Sequence, residues 1–186
     1  SLSAVPNGRS YRISVKREDG GKVSNHLHDN VQLGDALELF APAGDFTLVA
    51  GDRPIALISG GVGITPTLPM LEQALASGRQ VHFIHCARNG QVHAFREFIA
   101  DQQKQHPQLR SYTCYSEALP GDAGDAEGFL SRELLEQWLP AERDMDAYFL
   151  GPKPFMAQVK KLLREVGVPE AQSRYEFFGP AAALEA

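Results

Sequence analysis

Apolar and polar positions alternate with period two over residues 11–17, YRISVKR, which puts Tyr11, Ile13 and Val15 on one face of a half-buried strand. Residues 36–44, ALELFAPAG, read as another strand that ends in a turn at Pro42 to Gly44, and residues 45–50, DFTLVA, as a third. Between them, residues 23–31, VSNHLHDNV, hold about two turns of helix with Ser24 or Asn25 as N-cap. The first fifty residues therefore predict the tail of an antiparallel β unit carrying one short helix. The strand at 11–17 has no preceding strand to pair with and the chain opens without Met, so the expectation is a piece of a longer protein.

After Asp52-Arg53-Pro54 the periodicity changes. Residues 55–59 (IALIS) form a continuous apolar strand, followed by a helix ending at Gly78 and a second strand at 80–88. Helix over 93–105, strand over 109–117, helix over 129–139 with Ser131 as N-cap, strand over 146–151, helix over 155–167 and a last strand over 174–179 follow in turn. Strict strand–helix alternation is the signature of right-handed βαβ crossovers and a parallel, doubly wound α/β sheet. The boundary between the two patterns falls near 50–54, dividing the chain into residues 1–51 and 52–186. Residues 121–128, GDAGDAEG, read as an acidic, solvated surface loop.

Composition narrows the function classes. With 186 residues, 43% of them hydrophobic, a sizeable core is available. A net charge of −5, with dispersed Lys and Arg, argues against a nucleic-acid partner. Anionic cofactors stay open, because helix ends and backbone N–H groups bind phosphate without net positive charge. No apolar run reaches the length of a membrane span, and no signal sequence opens the chain. The two cysteines, Cys86 and Cys114, fall in apolar stretches that read as buried strands; they cannot furnish a four-thiolate iron–sulfur site and accord with a reducing, cytoplasmic setting. The histidines lack acidic or thiol partners at ligand spacing, so no metal site is expected.

Three stretches carry candidate chemistry. Gly60, Gly61, Val62, Gly63, Ile64, Thr65 and Pro66 lie between the first parallel strand and its helix, where the N-terminus of a crossover helix meets phosphate. The glycines permit close approach, Thr65 can cap the helix or donate to an oxygen, and Pro66 suits a first helical turn. The spacing is neither Walker A nor GxGxxG, and a plain strand-to-helix turn explains it equally well. Gly151 and Pro152 open a rigid loop, GPKPFM, which suits either a platform for a flat ring or a tight turn anchored by Phe155. Phe177 and Phe178, in the C-terminal YEFFGP, suit either stacking on a planar cofactor or the core.

Taken together, LISGGVGITP, GPKPFM and YEFFGP resemble the ferredoxin–NADP reductase superfamily. More narrowly, YRISVKREDGGKVSNHLHD, APAGDF, HCARNGQVHAF and YEFFGP resemble the reductase part of bacterial flavohaemoglobins, the nitric oxide dioxygenases, over nearly the whole chain. The resemblance implies the C-terminal part of an antiparallel FAD-binding β-barrel, then an NAD(P)-binding domain, with an N-terminal globin ahead of both in the intact protein. It implies NADH or NADPH and FAD as cofactors, haem only in the globin, and nitric oxide dioxygenation by the whole. It assigns residues 60–66 to the dinucleotide phosphates and Gly151 and Pro152 to the nicotinamide surroundings. Phe177, Phe178, Gly179 and Pro180 then border the flavin, Glu176 tunes its redox potential, and Val23 and Ser24 meet the FAD pyrophosphate. Ser1 matches the serine of the family's Arg-x-Tyr-Ser flavin signature, whose Arg and Tyr are absent, so this chain alone is expected to hold FAD weakly or not at all and to be inactive. Leu150 stands where relatives often place Cys. Two rival readings remain: a reductase component serving a separate oxygenase, and a nucleotide-binding module without redox chemistry.

Overall fold

The computed structural model describes residues 1–178. From Ile55 onward it is a six-stranded, wholly parallel sheet flanked by helices on both faces. The elements in chain order are α1 (Lys22–Asp29), β1 (Ile55–Gly60), α2 (Ile64–Ala76), β2 (Val81–Ala87), α3 (Arg96–Gln105) and β3 (Leu109–Tyr115). After them come β4 (Ala126–Glu127), α4 (Arg132–Trp138), β5 (Asp146–Leu150), α5 (Lys153–Glu165) and β6 (Ser173–Tyr175).

The strand order is β4-β3-β2-β1-β5-β6, so the sheet winds outward from β1 in both directions and reverses between β1 and β5. Central strands buried on both faces need apolar residues throughout, and all six residues of β1 are buried. Ile55 and Leu57 point to one side, where they pack with Leu68 and Leu71 of α2 and Ile99 of α3. Ala56 and Ile58 point to the other, where Leu135 and Trp138 of α4 and Met156, Val159 and Leu163 of α5 cover them. Two layers of helix around one sheet follow from that alternation.

Several expected elements are shifted. The 93–105 helix begins only at Arg96, after a 3₁₀ turn at Gly90–Val92, because Phe95 takes a left-handed conformation (φ 60°). The acidic loop at 121–128 contributes a two-residue parallel strand to the sheet edge. The last strand stops at Tyr175. Ser131 caps α4 as expected, accepting from the Leu134 N–H.

The three strands expected before residue 51 do not form a sheet. Residues 11–17, 36–44 and 45–50 run extended without ladder partners, and Tyr11, Ile13, Leu39 and Phe40 of these segments are exposed. A strand is stable only when a neighbouring strand pairs its backbone groups, and among the described residues these segments have no such neighbour, although Phe46 and Leu48 pack on the core. Neither Ser24 nor Asn25 caps α1: Gly21 is the N-cap, and the Ser24 hydroxyl instead accepts from the Glu18 N–H at 3.1 Å. The segment is nevertheless attached. Phe46 meets Tyr148 edge-on at 5.9 Å between ring centroids, and the Val49 N–H donates to the Tyr148 hydroxyl at 2.8 Å. Arg79 donates to the carbonyls of Val49 and Arg53 while pairing with the buried Asp146 at 2.7 Å.

Candidate nucleotide-binding site

The reversal between β1 and β5 leaves a crevice at the carboxyl ends of the strands, and the loops leaving these two strands are its walls. They are in direct contact. A Cβ on Gly63 would lie 2.1 Å from the Leu150 carbonyl oxygen, and one on Gly151 would lie 3.2 Å from Gly60 Cα. The Phe155 ring packs over both, so that Cβ atoms on Gly60 and Gly151 would fall 2.9 and 2.6 Å from it. The two glycine loops picked out in the sequence thus form one structure, locked by Phe155.

Gly61 is different. Its φ is +54°, and a Cβ there would meet nothing within 4 Å. Its absent side chain is not required by protein packing, which leaves an open face of backbone at the turn into α2.

A cleft of about 1280 Å³ opens in front of these loops. Gly60, Gly61, Val62, Ile64, Thr65 and Pro152 line it. Gly63, Pro66 and Gly151 do not: the first two are buried in the loop and the first turn of α2, and Gly151 lies beneath Phe155. Thr65 is no cap, since Gly63 precedes the helix without a side-chain cap and the Thr65 hydroxyl donates to the Val62 carbonyl at 3.1 Å. Lys16, Arg17 and Arg88 stand on the cleft wall, Lys16 paired with Glu18 at 3.4 Å and Arg17 with Asp29, and among the described residues no carboxylate lines it. The volume lies above the usual range of about 300–1,000 Å³ for small-molecule clefts.

The other site residues named from the sequence lie away from this cleft. Ser1 is exposed, Val23 and Ser24 belong to α1, and Glu176 places Oε1 beside Gly44, 3.3 Å from where a Cβ would stand. Phe177 is half-buried against Tyr175 (5.7 Å, edge-on) and Phe178 is exposed. Gly179 and Pro180 lie outside the described residues.

Sequence reading missed the far wall. Cys86, Cys114, Ser116 and the Gly128-Phe129-Leu130 turn line the cleft beyond β2 and β3. Applying to β2 and β3 the rule that ligands sit at carboxyl ends of strands would have marked Ser116. Cys86 is half-buried, not enclosed.

Beneath the glycine loop lies a neutral histidine pair. His85 Nδ1 shares a 2.8 Å hydrogen bond with the Ser59 hydroxyl, and the His85 ring lies against His93 at 4.6 Å between centroids. Burial first, and His93 second, pull the His85 pKa down to about 3. Burial and then Arg96 pull that of His93 down to about 4, while its Nδ1 shares a 2.8 Å hydrogen bond with the Tyr115 hydroxyl. Both rings are uncharged at neutral pH, and His85 Nε2 has no partner among the described residues.

A parallel doubly wound sheet with an open glycine turn at its switch point defines a dinucleotide-binding domain. The family described as oxidoreductase NAD-binding domain matches residues 57–161, and the chain belongs to that family. Among known proteins, the chain is 67% identical over 185 residues to a flavohemoprotein of Pseudomonas putida, all of the chain aligning with 47% of that protein. It is 64% identical over 186 residues to a flavohemoprotein of Pseudomonas aeruginosa, again its whole length against 47%. The chain therefore spans about half the length of the curated relatives it matches. The flavohem-like FAD/NAD-binding domain of a nitric oxide dioxygenase from Vibrio cholerae superposes with a TM-score of 0.87 at 39% identity, over 97% of this chain and 76% of that one. Among the described residues, no helix is long and apolar enough to cross a membrane, and no group of three or more His, Cys, Asp or Glu side chains is placed to hold a metal.

Proposed function

We propose that this chain is the reductase part of a flavohaemoglobin, taking reducing equivalents from NAD(P)H through FAD to the haem of an N-terminal globin, where nitric oxide is oxidised to nitrate. The observation that carries the reading is the β1–β5 crevice, with the open Gly61 turn on one wall and Pro152 on the other. When bound, the nicotinamide supplies a hydride and the flavin converts that two-electron donor into single electrons for the haem.

The chain's residues bind and orient. Backbone at Gly60–Val62 and the start of α2 at Ile64 and Thr65 would receive the pyrophosphate and its flanking groups. Pro152 would border the nicotinamide, with Gly151 behind it letting Phe155 fix this loop to the glycine turn. Residues 1–51 are assigned to part of an FAD-binding barrel and 52–186 to the nucleotide domain. Within the former, Ser1, Val23 and Ser24 serve the FAD. Glu176, Phe177 and Phe178 serve its flavin side, supported by the approach of Glu176 to Gly44. The free thiols accord with a cytoplasmic home.

The test is NADH consumption by the full-length protein, loaded with FAD and haem, in the presence of nitric oxide and O₂. Stoichiometric nitrate formation supports the reading. NADH oxidation that reduces an added acceptor but never the haem would shift it to a reductase for a separate partner, and nucleotide binding with no oxidation would shift it to a non-redox module.

A further inference from the structure

Cys86 of β2 and Cys114 of β3 are register partners on adjacent parallel strands, so their side chains project from the same face of the sheet. Strands so paired lie about 4.8 Å apart, inside the range of Cα separations that a disulfide spans. Both residues line the cleft, where Cys86 is half-buried and Cys114 buried. They are the chain's two cysteines, and neither takes part in the binding of nucleotide described above.

Cys114 Sγ donates to the Gly128 carbonyl at 3.2 Å. Each thiol feels the other: Cys114 and burial hold the Cys86 thiol well above the ordinary range, and Cys86 lowers the Cys114 thiol against the opposing effect of burial. Whichever sulfur meets an electrophile, the other stands beside it as the resolving partner.

We propose that Cys86 and Cys114 form an oxidisable dithiol in the wall of the cleft, closed to an intramolecular disulfide by hydroperoxides, and that closure weakens dinucleotide binding. One thiolate of the pair attacks a peroxide oxygen and breaks the O–O bond, giving a sulfenic acid and hydroxide. The other sulfur then attacks the sulfenic sulfur and displaces the second oxygen as hydroxide. The two thiols lose two electrons and two protons, and hydrogen peroxide becomes two waters. The consequence for the cleft follows from Gly128. Once Cys114 has lost its proton, the Gly128 carbonyl loses its donor, and the adjoining Phe129 and Leu130, which also line the cleft, lose that anchor.

The second half of the proposal rests on the cleft being the dinucleotide site, and the experiment separates the two. The full-length protein is treated with hydrogen peroxide, alkylated and digested with trypsin without reduction. The expected product is a cross-linked pair of peptides, residues 80–88 and 111–132, in protein that runs as a monomer on a non-reducing gel. In Cys86→Ala or Cys114→Ala, dimedone captures the remaining thiol as its sulfenic acid. Separate peptides carrying only sulfinic acid, or a disulfide between two molecules, would overturn the dithiol. The dissociation constant for NADH is then compared in reduced, oxidised and re-reduced protein. Weakening by about three- to tenfold, reversed by dithiothreitol, is expected from one lost hydrogen bond at the wall. Equal affinity in the reduced and oxidised forms overturns the coupling. Reduced protein that fails to bind NADH sinks the reading of the cleft, and the coupling with it, while the cross-link is judged by the peptide map alone.

Discussion

Single glycines decide the geometry of the nucleotide loop, and two of them do so for different reasons. Gly63 is required by its neighbours, since a methyl group there would overlap the Leu150 carbonyl. Gly63→Ala is expected to cost about 3 kcal/mol of stability or more, read by urea denaturation, because backbone must move to admit it. Gly61 is required by its conformation and by what approaches it. Gly61→Val is expected to cost only about 1–2 kcal/mol of stability from its positive φ while raising the NADH dissociation constant at least tenfold in a titration. The buried histidines bear on pH. His85 keeps a folded pKa near 3, below its unfolded value, so it binds a proton more readily in the unfolded chain. Stability is therefore fully present above the unfolded pKa of about 6.5 and declines as pH falls toward 3, by about 1.4 kcal/mol per pH unit from this group alone. His93, held to about 4, adds to the same slope. Denaturation midpoints between pH 7 and 5 should fall less steeply in His85→Asn.

At the level of elements, buried charge holds the linker to the sheet. Asp146 at the start of β5 pairs with Arg79 at 2.7 Å and Arg174 at 2.9 Å, and Arg79 reaches from there to the carbonyls of Val49 and Arg53. Asp146 and Arg79 are almost wholly buried, so Asp146→Ala strands a cation and should cost about 3–5 kcal/mol in chemical denaturation. Ser131→Ala removes the α4 cap and should cost about 1 kcal/mol. The two serine caps expected from sequence had opposite outcomes. Ser131 precedes a helix whose apolar positions, Leu135 and Trp138, lock onto the core, so the start of the helix is set by packing and the serine is in place to serve it. Helix α1 buries no side chain, and its start is instead set by a local turn in which Ser24 caps the Glu18 N–H. A cap motif is informative where tertiary contacts fix the helix, and weak where they do not.

For the molecule as a whole, ligand linkage offers a check on the cleft. NADH at a hundredfold excess over its dissociation constant should stabilise the protein by about 2.7 kcal/mol, visible as a rise in Tm. Arg88 is exposed on the cleft wall after β2, and if it meets a 2′-phosphate, Arg88→Ala should weaken NADPH about tenfold and leave NADH unchanged in parallel titrations. What the amino-acid sequence determined by itself was local and periodic: the apolar run at Ile55–Gly60, the strand–helix alternation from Ile55 to Tyr175, the Ser131 cap and the placing of both glycine loops at strand ends. These follow from residue spacing, which needs no knowledge of distant partners. The pairing of strands was different. Residues 11–17 alternate as a strand should, yet run unpaired, because alternation records a face that could be buried and not whether another strand covers it. Only the tertiary structure brought Gly63 against Leu150, laid Phe155 over Gly60 and Gly151, and set Cys86 beside Cys114. Each of those contacts joins residues far apart in the chain, and the strand order that creates them depends on crossovers that pattern and period do not encode.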